Sequence, residues 1–170
     1  MKFSVAVLII GLLFGCANTK KSDNNAPIKI INKFDEGAVK WFKTKGQGSI
    51  KGIAKFKSKS GVVRFGKEFR IELMPYSLYT EERLNKIYEN NQAGHVYVED
   101  GIPKFTPDPK GYHDTKKTMC DKDGNFEFNN LPPGDYYVIA FMLWDQTGGG
   151  IMRHVMLSEN EAKTIKMINF

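Results

Sequence analysis

The chain has 170 residues, of which 25 are Lys or Arg and 19 are Asp or Glu, so its net charge is +6 at pH 7. Hydrophobic residues make up 41% of it, and this length is enough for one globular domain around a single core. The positive excess is too small for a histone-like tail, and no segment stays apolar for the ~20 residues that a membrane-spanning helix needs.

The N-terminus has the features of a secretory signal. Met1 and Lys2 provide a positive charge, the stretch Phe3–Leu13 is apolar, and the small residue Gly15 precedes Cys16. The run from Leu13 to Cys16 resembles a bacterial lipobox. This resemblance implies that residues 1–15 are removed and that Cys16 carries a covalent lipid as the first residue of the mature protein. A cleaved signal without lipid is the alternative.

The residues after the cysteine predict where the protein sits. Ala17, rather than Asp, follows it, and by resemblance to Gram-negative lipoproteins this favours the outer membrane, on its periplasmic face or at the cell surface. A Gram-positive surface is the alternative. Residues 16–33 are polar and predict a flexible tether with a reach of about 20–25 Å, which leaves 34–170 as the domain. With Cys16 lipidated, Cys120 has no partner, and we predict that it is a buried small hydrophobe.

Alternation of apolar and polar residues predicts strands along most of the domain. In Ser49–Lys57, for example, Ile50, Ala54 and Phe56 share one face. The other predicted strands are Glu68–Met74, Thr118–Asp121, Asn125–Phe128, Gly134–Trp144, Ile151–Leu157 and Lys163–Ile168. Turns are predicted at Asp123-Gly124, as a hairpin, and at Leu131–Gly134. Short strands at this spacing predict an antiparallel sandwich.

One predicted strand needs cover on both sides. Tyr136–Trp144 is apolar on both faces, whereas a two-layer sandwich buries only one face of each sheet. A helix interrupts the strands, with Thr80 as its predicted cap and Gly94 as its predicted end, and it opens an insertion at about 79–117. We predict that this insertion packs its aromatic residues on the second face. A partner protein is the alternative.

The stretch Thr118–Val138 resembles a known family. It contains an Asp-x-x-Gly turn that ends at Gly124, then Phe126-Glu127-Phe128, then Leu131–Gly134 before Tyr136. This pattern is similar to the carboxypeptidase regulatory-like domain, which implies an all-β fold. With the short inserted helix, the expected fold is a transthyretin-like (prealbumin-like) antiparallel β-sandwich.

The whole chain also resembles a group of uncharacterised bacterial lipoproteins. They share a run from Leu to Glu-Arg, here Leu73–Arg83, and a late strand that ends in Trp before a Gly-rich loop, here Trp144 and Gly148–Gly150. We expect that loop to be a flexible connection. Binding residues concentrate on loops held by rigid scaffolds, so the predicted binding site lies on the insertion and on this loop. The candidate residues are Tyr79, Arg83, Tyr112, Trp144 and Asp145.

No catalytic or metal site is predicted. His95, His113 and His154 lack the spacing of metal ligands, and neither a nucleophile elbow nor a phosphate loop is present. A small metalloenzyme that gathers Tyr79, Tyr112, His95 and His113 is a remote alternative. We therefore predict a non-enzyme with no cofactor other than the lipid.

The first part of the domain is rich in basic residues. Residues 38–67 contain nine Lys or Arg and no acidic residue, and Lys51, Lys55, Lys57 and Lys59 are predicted to form a basic face. One interpretation is a solvated edge strand whose lysines prevent edge-to-edge aggregation. The other is attraction to anionic lipid headgroups or cell-wall polymers. Nucleic acid is not an expected partner of an exported protein.

These patterns together predict a membrane-anchored, non-catalytic binding or scaffolding module. Its expected partners are the membrane, through the lipid, and an envelope protein or a cell-surface polymer. A structural subunit of an envelope or secretion machine is the alternative.

Overall fold

The computed structural model describes residues 26–66 and 69–170. The predicted signal peptide and Cys16 lie outside these residues. Within them, no helix has the length and apolarity to cross a membrane. The strands are β1 (Ile28–Lys29), β2 (Gly48–Lys57), β3 (Val63–Arg64), β4 (Arg70–Pro75), β5 (Ala93–Tyr97), β6 (Phe105–Thr106), β7 (Lys116–Met119), β8 (Asn125–Leu131), β9 (Gly134–Trp144), β10 (Thr147–Leu157) and β11 (Ala162–Ile168). Helix α1 spans Leu78–Tyr88, and short 3-10 helices occupy Lys40–Lys43, Val98–Asp100 and Lys110–His113.

Two sheets form a sandwich. The larger sheet has the strand order β5-β10-β9-β4-β7, and each of its pairs is antiparallel. In the smaller sheet β2 is central: β11 runs parallel along one edge, and β8 and β3 run antiparallel along the other. A separate parallel pair joins β1 to β6. The predicted all-β sandwich with one inserted helix is confirmed, although β2–β11 departs from a purely antiparallel arrangement.

The first core lies between the two sheets. Ile50 and Phe56 of β2 are fully buried in one cluster with Ile71 and Leu73 of β4. Burying side chains of this size stabilises the fold by about 1.5–3 kcal/mol each. The side chains of β9 that point into this core are Tyr136, Val138, Ala140 and Met142. The alternation in the sequence identified the inward faces of β2 and β4 correctly.

A second core lies on the other face of the larger sheet. Tyr137 and Ile139 of β9 and Met152 of β10 form its floor. The layer that covers them consists of α1, β6 and neighbouring segments, through Ile30, Tyr79, Leu84, Tyr88, Phe105 and Tyr112. The insertion therefore packs on the second face of the long strand as predicted. It is also more regular than predicted, because it contributes β5 as an edge strand of the larger sheet.

The last part of the expected tether is docked on the domain. Ile28 and Lys29 pair with β6, and Ile30 is only 3% exposed. The backbone N–H groups of Ile31 and Asn32 donate to the carboxylate of Glu82 on α1 at 2.8–3.1 Å, and Asn32 Nδ2 donates to it at 2.8 Å. The docked segment therefore begins at Ile28, inside the range 16–33 expected to be a free tether. It is docked because Ile30 fills part of the second core.

Helix α1 begins and ends earlier than predicted. Ser77, not Thr80, is the N-cap: its Oγ accepts the N–H of Thr80 at 3.1 Å. The helix ends at Glu89, which adopts a left-handed conformation with φ of 54°. Gly94, the predicted end, lies in β5. Ser and Thr are both favourable N-cap residues, so residue type alone could not distinguish Ser77 from Thr80 as the N-cap of the helix.

The turns around β8 carry the chain between the sheets. The turn Asp121–Gly124 is present, and Asp121 Oδ1 accepts the N–H groups of Asp123 and Asn125 at 2.9 and 2.8 Å. However, β7 pairs with β4 whereas β8 pairs with β2, so the predicted hairpin is a crossing from one sheet to the other. The Leu131–Gly134 turn returns the chain to the larger sheet. Local turn chemistry predicted both reversals but could not assign the pairing partners.

The triple glycine is part of β10 rather than a flexible connection. Asp145 and Gln146 form a two-residue hairpin turn with φ of 44° and 66°. Gly149 then pairs with Met142 on one side and Tyr97 on the other. A Cβ at Gly149 would fall on the carbonyl oxygen of Val96 and within 2.6 Å of Phe56 Cζ. The absent side chain permits close packing here.

Candidate binding site

Three of the predicted binding residues meet in one cluster. The guanidinium carbon of Arg83 on α1 lies 4.4 Å from the ring centroid of Tyr112 and 4.7 Å from that of Phe105. Arg83 Nη1 donates to Tyr79 Oη at 3.0 Å and to Asp108 Oδ1 at 2.5 Å. We call these five residues the Arg83 cluster. The insertion therefore brings Tyr79, Arg83 and Tyr112 together.

The polar groups of the Arg83 cluster are used inside the protein. Tyr79 is fully buried, and its hydroxyl donates to the carbonyl of Pro107 at 2.7 Å. Burial opposes the charge on Arg83, but Tyr112 and the hydrogen bonds to Asp108 and Tyr79 outweigh it and raise the pKa of the guanidinium. The arrangement holds the loop after β6 on α1, which gives the cluster a structural role.

The other two predicted binding residues lie elsewhere. Trp144 belongs to the first core, with its ring centroid 6.2 Å from those of Phe56 and Phe69. Asp145 is exposed in the turn between β9 and β10. The Arg83 cluster covers the opposite face of the same sheet. The structure therefore divides the five candidates into two places.

Three of the four predicted basic residues share one face. Lys51, Lys55 and Lys57 alternate with buried residues along β2, so they point to the outer side of the smaller sheet. Lys59 forms an ion pair with Asp100 and lies over the ring of Tyr97. The edge-strand interpretation is wrong, because β2 has neighbours on both edges.

A pocket that the sequence did not reveal lies where the N-terminal segment meets the Leu131–Gly134 turn. Its volume is about 540 Å³. We call it the Trp41 pocket, and its lining consists of Lys33, Asp35, Ala38, Trp41, Tyr76, Ser77, Leu78, Pro133, Gly134 and Asp135. These residues come from three distant parts of the chain, so no local motif could have indicated the pocket.

Trp41 is the largest side chain of the pocket and is firmly held. The 3-10 helix Lys40–Lys43 places Phe42 in the first core and leaves Trp41 half-buried. The Trp41 ring centroid lies 5.1 Å from that of Tyr136 in an edge-on arrangement. A Cβ at Gly134 would lie 2.5 Å from Trp41 Cη2 and Cζ3, so the indole rests directly on the backbone of the glycine.

Tyr76 is the second aromatic side chain of the pocket. Its N–H donates to the carbonyl of Asp135 at 2.8 Å, and its hydroxyl donates to Glu81 Oε2 at 2.7 Å. This hydrogen bond, with burial and the charges of Glu81 and Asp135, raises the pKa of Tyr76 to about 12. The ring is therefore fixed and uncharged at neutral pH.

The carboxylates of the pocket differ in their surroundings. Asp35 is exposed, and its Oδ1 accepts the N–H groups of Gly37 and Ala38 at 2.7 and 3.3 Å. Asp135 Oδ1 lies 4.0 Å from His154 Nε2, and both atoms are buried without a hydrogen bond to any described residue. The His154 ring centroid lies 5.9 and 5.0 Å from those of Tyr76 and Tyr137, which are 6.2 Å from each other.

A larger cavity of about 790 Å³ lies beside β8 and β2. Its charged lining includes Lys51, Asp121, Glu127 and Lys166, whereas the aromatic residue that lines it, Phe126, is buried in the first core. It therefore lacks the half-exposed aromatic rings of the Trp41 pocket. Cys120 also lines it but is 3% exposed, as predicted, and burial raises the pKa of its thiol to about 11.

The described residues contain no group of three or more His, Cys, Asp or Glu side chains that could hold a metal ion. Tyr79 and Tyr112 are neighbours, and His113 contacts Asp108 at 2.9 Å. His95 instead lies in β5 beside Tyr97. The four residues of the metalloenzyme alternative are therefore split between the Arg83 cluster and an edge strand.

Comparison with solved structures shows a likeness in fold. No family model and no curated protein matches the chain. The chain is similar in structure to a "putative carbohydrate binding protein" from Pseudomonas aeruginosa, with a TM-score of 0.64 and 22% sequence identity. The match covers 81% of this chain and 99% of that chain. At this identity the likeness shows a shared β-sandwich fold.

Proposed function

We propose that this chain is a lipid-anchored, non-catalytic binding module of the cell envelope, and that it binds a carbohydrate in the Trp41 pocket. The observation that carries the proposal is the pairing of two fixed, half-buried aromatic rings, Trp41 and Tyr76, with the carboxylates of Asp35 and Asp135 in one pocket. The structural neighbour from Pseudomonas aeruginosa, by its name, supports the same class of ligand.

Sugars suit such a pocket because each ring has an apolar face of C–H groups and an edge of hydroxyl groups. The indole of Trp41 can pack against the apolar face, since its position on Gly134 leaves one part of the ring open to solvent. The carboxylate oxygens of Asp35 and Asp135 can accept hydrogen bonds from the hydroxyl groups of a sugar. A pocket of about 540 Å³ is within the usual range for small ligands.

Among the described residues that line it, the pocket has no free hydroxyl or thiol nucleophile on a Ser, Thr or Cys side chain. Ser77 is the one Ser, Thr or Cys among its lining residues, and its Oγ is used as the cap of α1 and lies 2.8 Å from Thr80 Oγ1. The envelope location rests on the lipobox resemblance at Cys16. The segment that follows the anchor leads directly to Lys33 and Asp35, so the tether would hold the pocket close to the envelope surface.

Binding of oligosaccharides tests this proposal. Calorimetry of the full chain against a panel of neutral and amino-sugar oligosaccharides should identify a ligand. Trp41→Ala should weaken its binding by about tenfold, which corresponds to about 1.4 kcal/mol, because the stacking surface is lost. Asp35→Asn keeps the contacts to Gly37 and Ala38 possible and should weaken binding by a smaller factor, about threefold.

Phe65→Ala is the matched control, since Phe65 is an aromatic side chain that is 50% exposed and does not line the pocket. It should leave the affinity unchanged. Equal affinities of the wild type and Trp41→Ala for the oligosaccharide would contradict the assignment of the pocket.

A further inference from the structure

The outer face of the smaller sheet carries an excess of positive side chains. Along β2, Lys51, Lys55 and Lys57 alternate with residues of the first core. On the parallel neighbour β11, Lys166 lies opposite Ile53, between Lys51 and Lys55. We call Lys51, Lys55, Lys57 and Lys166 the lysine face. One strand spacing of ~4.8 Å and two-residue steps of ~6.6 Å separate such positions.

Few acidic groups oppose these lysines. Glu127 of β8 lies opposite Lys51. It is the acidic residue that points outward from β2, β8 and β11. Among the described residues, none of the four lysines has a carboxylate within ion-pair distance. Lys55 lies over the ring of Phe65 at 5.2 Å, and the other three are exposed. The charge of the face is therefore available to a ligand.

The lysine face and the N-terminal segment lie on opposite sides of the molecule. Ile30 packs in the second core, on the far side of the larger sheet, and β1 pairs with β6 in the covering layer. Between them and the lysine face lie two sheets, which are spaced by ~10 Å, and the second core. Ile28 follows Cys16 by 12 residues, a linker with a reach of about 20 Å.

We infer that the lysine face is a docking surface for a linear anionic polysaccharide, and that it points away from the membrane that holds the anchor. The orientation rests on the lipid at Cys16 in the proposed function, whereas the polymer site does not. Lysines that repeat along neighbouring strands suit a chain of repeated carboxylates or phosphates, because each ammonium group acts as a point charge without a fixed geometry. A bilayer under the same face would need the domain to turn over on its short tether.

Polygalacturonate, with one carboxylate on each sugar, is a suitable probe, and dextran is its uncharged control. The full chain in detergent should bind polygalacturonate and release it as salt rises from about 20 to about 200 mM. The triple variant Lys51→Gln, Lys55→Gln, Lys57→Gln should bind at least about tenfold more weakly at low salt. A matched triple, Lys29→Gln, Lys104→Gln, Lys110→Gln, removes the same charge from exposed positions in and beside the covering layer and should change affinity by less than about twofold.

Equal losses in the two triple variants would mean that only net charge matters and would overturn the inference, as would an absence of binding. Trp41→Ala separates this site from the pocket: it should leave polygalacturonate binding intact. Loss of binding in Trp41→Ala would make the polymer a ligand of the pocket, which overturns the lysine face but not the proposed function.

Orientation is tested on the lipidated chain in bilayers that contain brominated phosphatidylglycerol. A fluorophore on Asn125→Cys, beside the lysine face, should escape quenching, whereas one on Lys104→Cys in the covering layer should be quenched. Quenching at Asn125→Cys alone would place the lysine face on the membrane and overturn the inferred orientation, whereas the polygalacturonate assay decides the polymer site.

Discussion

Tyr136 connects the motif found in the sequence to the stability of the fold. Its side chain is fully buried between the sheets, and its hydroxyl donates to the carbonyl of Pro132, four residues earlier, at 2.5 Å. The same ring supports Trp41. A buried hydroxyl needs such a partner, so the spacing from the Pro-Pro-Gly turn to the Tyr is explained by a hydrogen bond that closes the turn.

Tyr136→Phe should lower the free energy of unfolding by about 1–3 kcal/mol, because it leaves the Pro132 carbonyl without its donor in a buried position. Chemical denaturation measures this change. The ring remains, so binding at the Trp41 pocket should persist. Tyr97→Phe is the control, since no hydrogen bond of the Tyr97 hydroxyl is found among the described residues, and it should shift stability by less than about 0.5 kcal/mol. Equal effects of both substitutions would contradict the role of this hydrogen bond.

At the residue scale, the sequence identified buried side chains better than binding ones. Ile50, Phe56 and Leu73 follow a strict alternation and are buried as predicted. Trp41 was passed over because it lies in an irregular, lysine-rich segment with no periodicity. Tyr79 was a binding candidate although it is buried, because a Tyr and an Arg four residues apart on a helix can belong either to a binding site or to a core.

Among the elements, the pair of β1 and α1 is held by charge as well as by packing. Burial tends to raise the pKa of Glu82, but the hydrogen bonds from Asn32 and Ile31 and the charge of Lys86 outweigh it, so the pKa is lowered. A lowered pKa means that the folded state favours the ionised carboxylate. The contact is therefore complete above the unfolded carboxyl pKa of about 4.3, and it weakens as pH falls through the lowered value.

Glu82→Gln should release the N-terminal segment locally while the sandwich stays folded, because charge-assisted hydrogen bonds are about twice as strong as neutral ones. Hydrogen exchange at the amides of Ile28 and Ile30, which donate to Lys104 and Thr106 of the neighbouring strand segment, should accelerate about tenfold. The wild type should show the same loss of protection, relative to the intrinsic exchange rate at each pH, only when the pH falls below the unfolded carboxyl pKa of about 4.3.

Glu159→Gln, at an exposed position outside this contact, is the control and should leave exchange at both amides unchanged. Protection of Ile30 that is the same in Glu82→Gln and in the wild type, at neutral pH, would show that the apolar contacts alone hold the segment.

Element types were predictable, whereas their partners were not. The bounds of β9 and β11 match the predicted strands closely because each is a run of β-forming residues that begins after a turn. β5 was missed because its short, glycine-containing run has no alternation, and β11 was not expected to pair in parallel with β2 because nothing local encodes a partner 113 residues away. Distant pairing is set by the whole core, which a single strand does not contain.

At the scale of the whole molecule, the layers give the protein two sides with different chemistry. One side carries the covering layer, where the chain leads back toward Cys16, and the other carries the lysine face. The Trp41 pocket lies at the end of the sandwich where the Leu131–Gly134 turn meets the N-terminal segment. An anchored domain could thus present one surface to its membrane and another to a polymer.

Cys16→Ser should abolish incorporation of labelled palmitate and release the protein from the membrane fraction. The described domain begins well after the anchor, so its thermal unfolding should not change. Cys120→Ser is the matched control, because Cys120 is free and buried, and it should retain the label. Palmitate that still labels Cys16→Ser would contradict lipidation at this residue.

The pairing of β2 with β11 also has a consequence for biosynthesis. Ser49 pairs with Ala162 and Lys55 with Ile168, so the central strand of the smaller sheet gains its parallel neighbour only after residues 162–168 have been made. Topologies with such high contact order fold slowly, since long loops must close before the contacts form. The smaller sheet of a nascent chain therefore stays without its complete hydrogen-bonded ladder until β11 has been made.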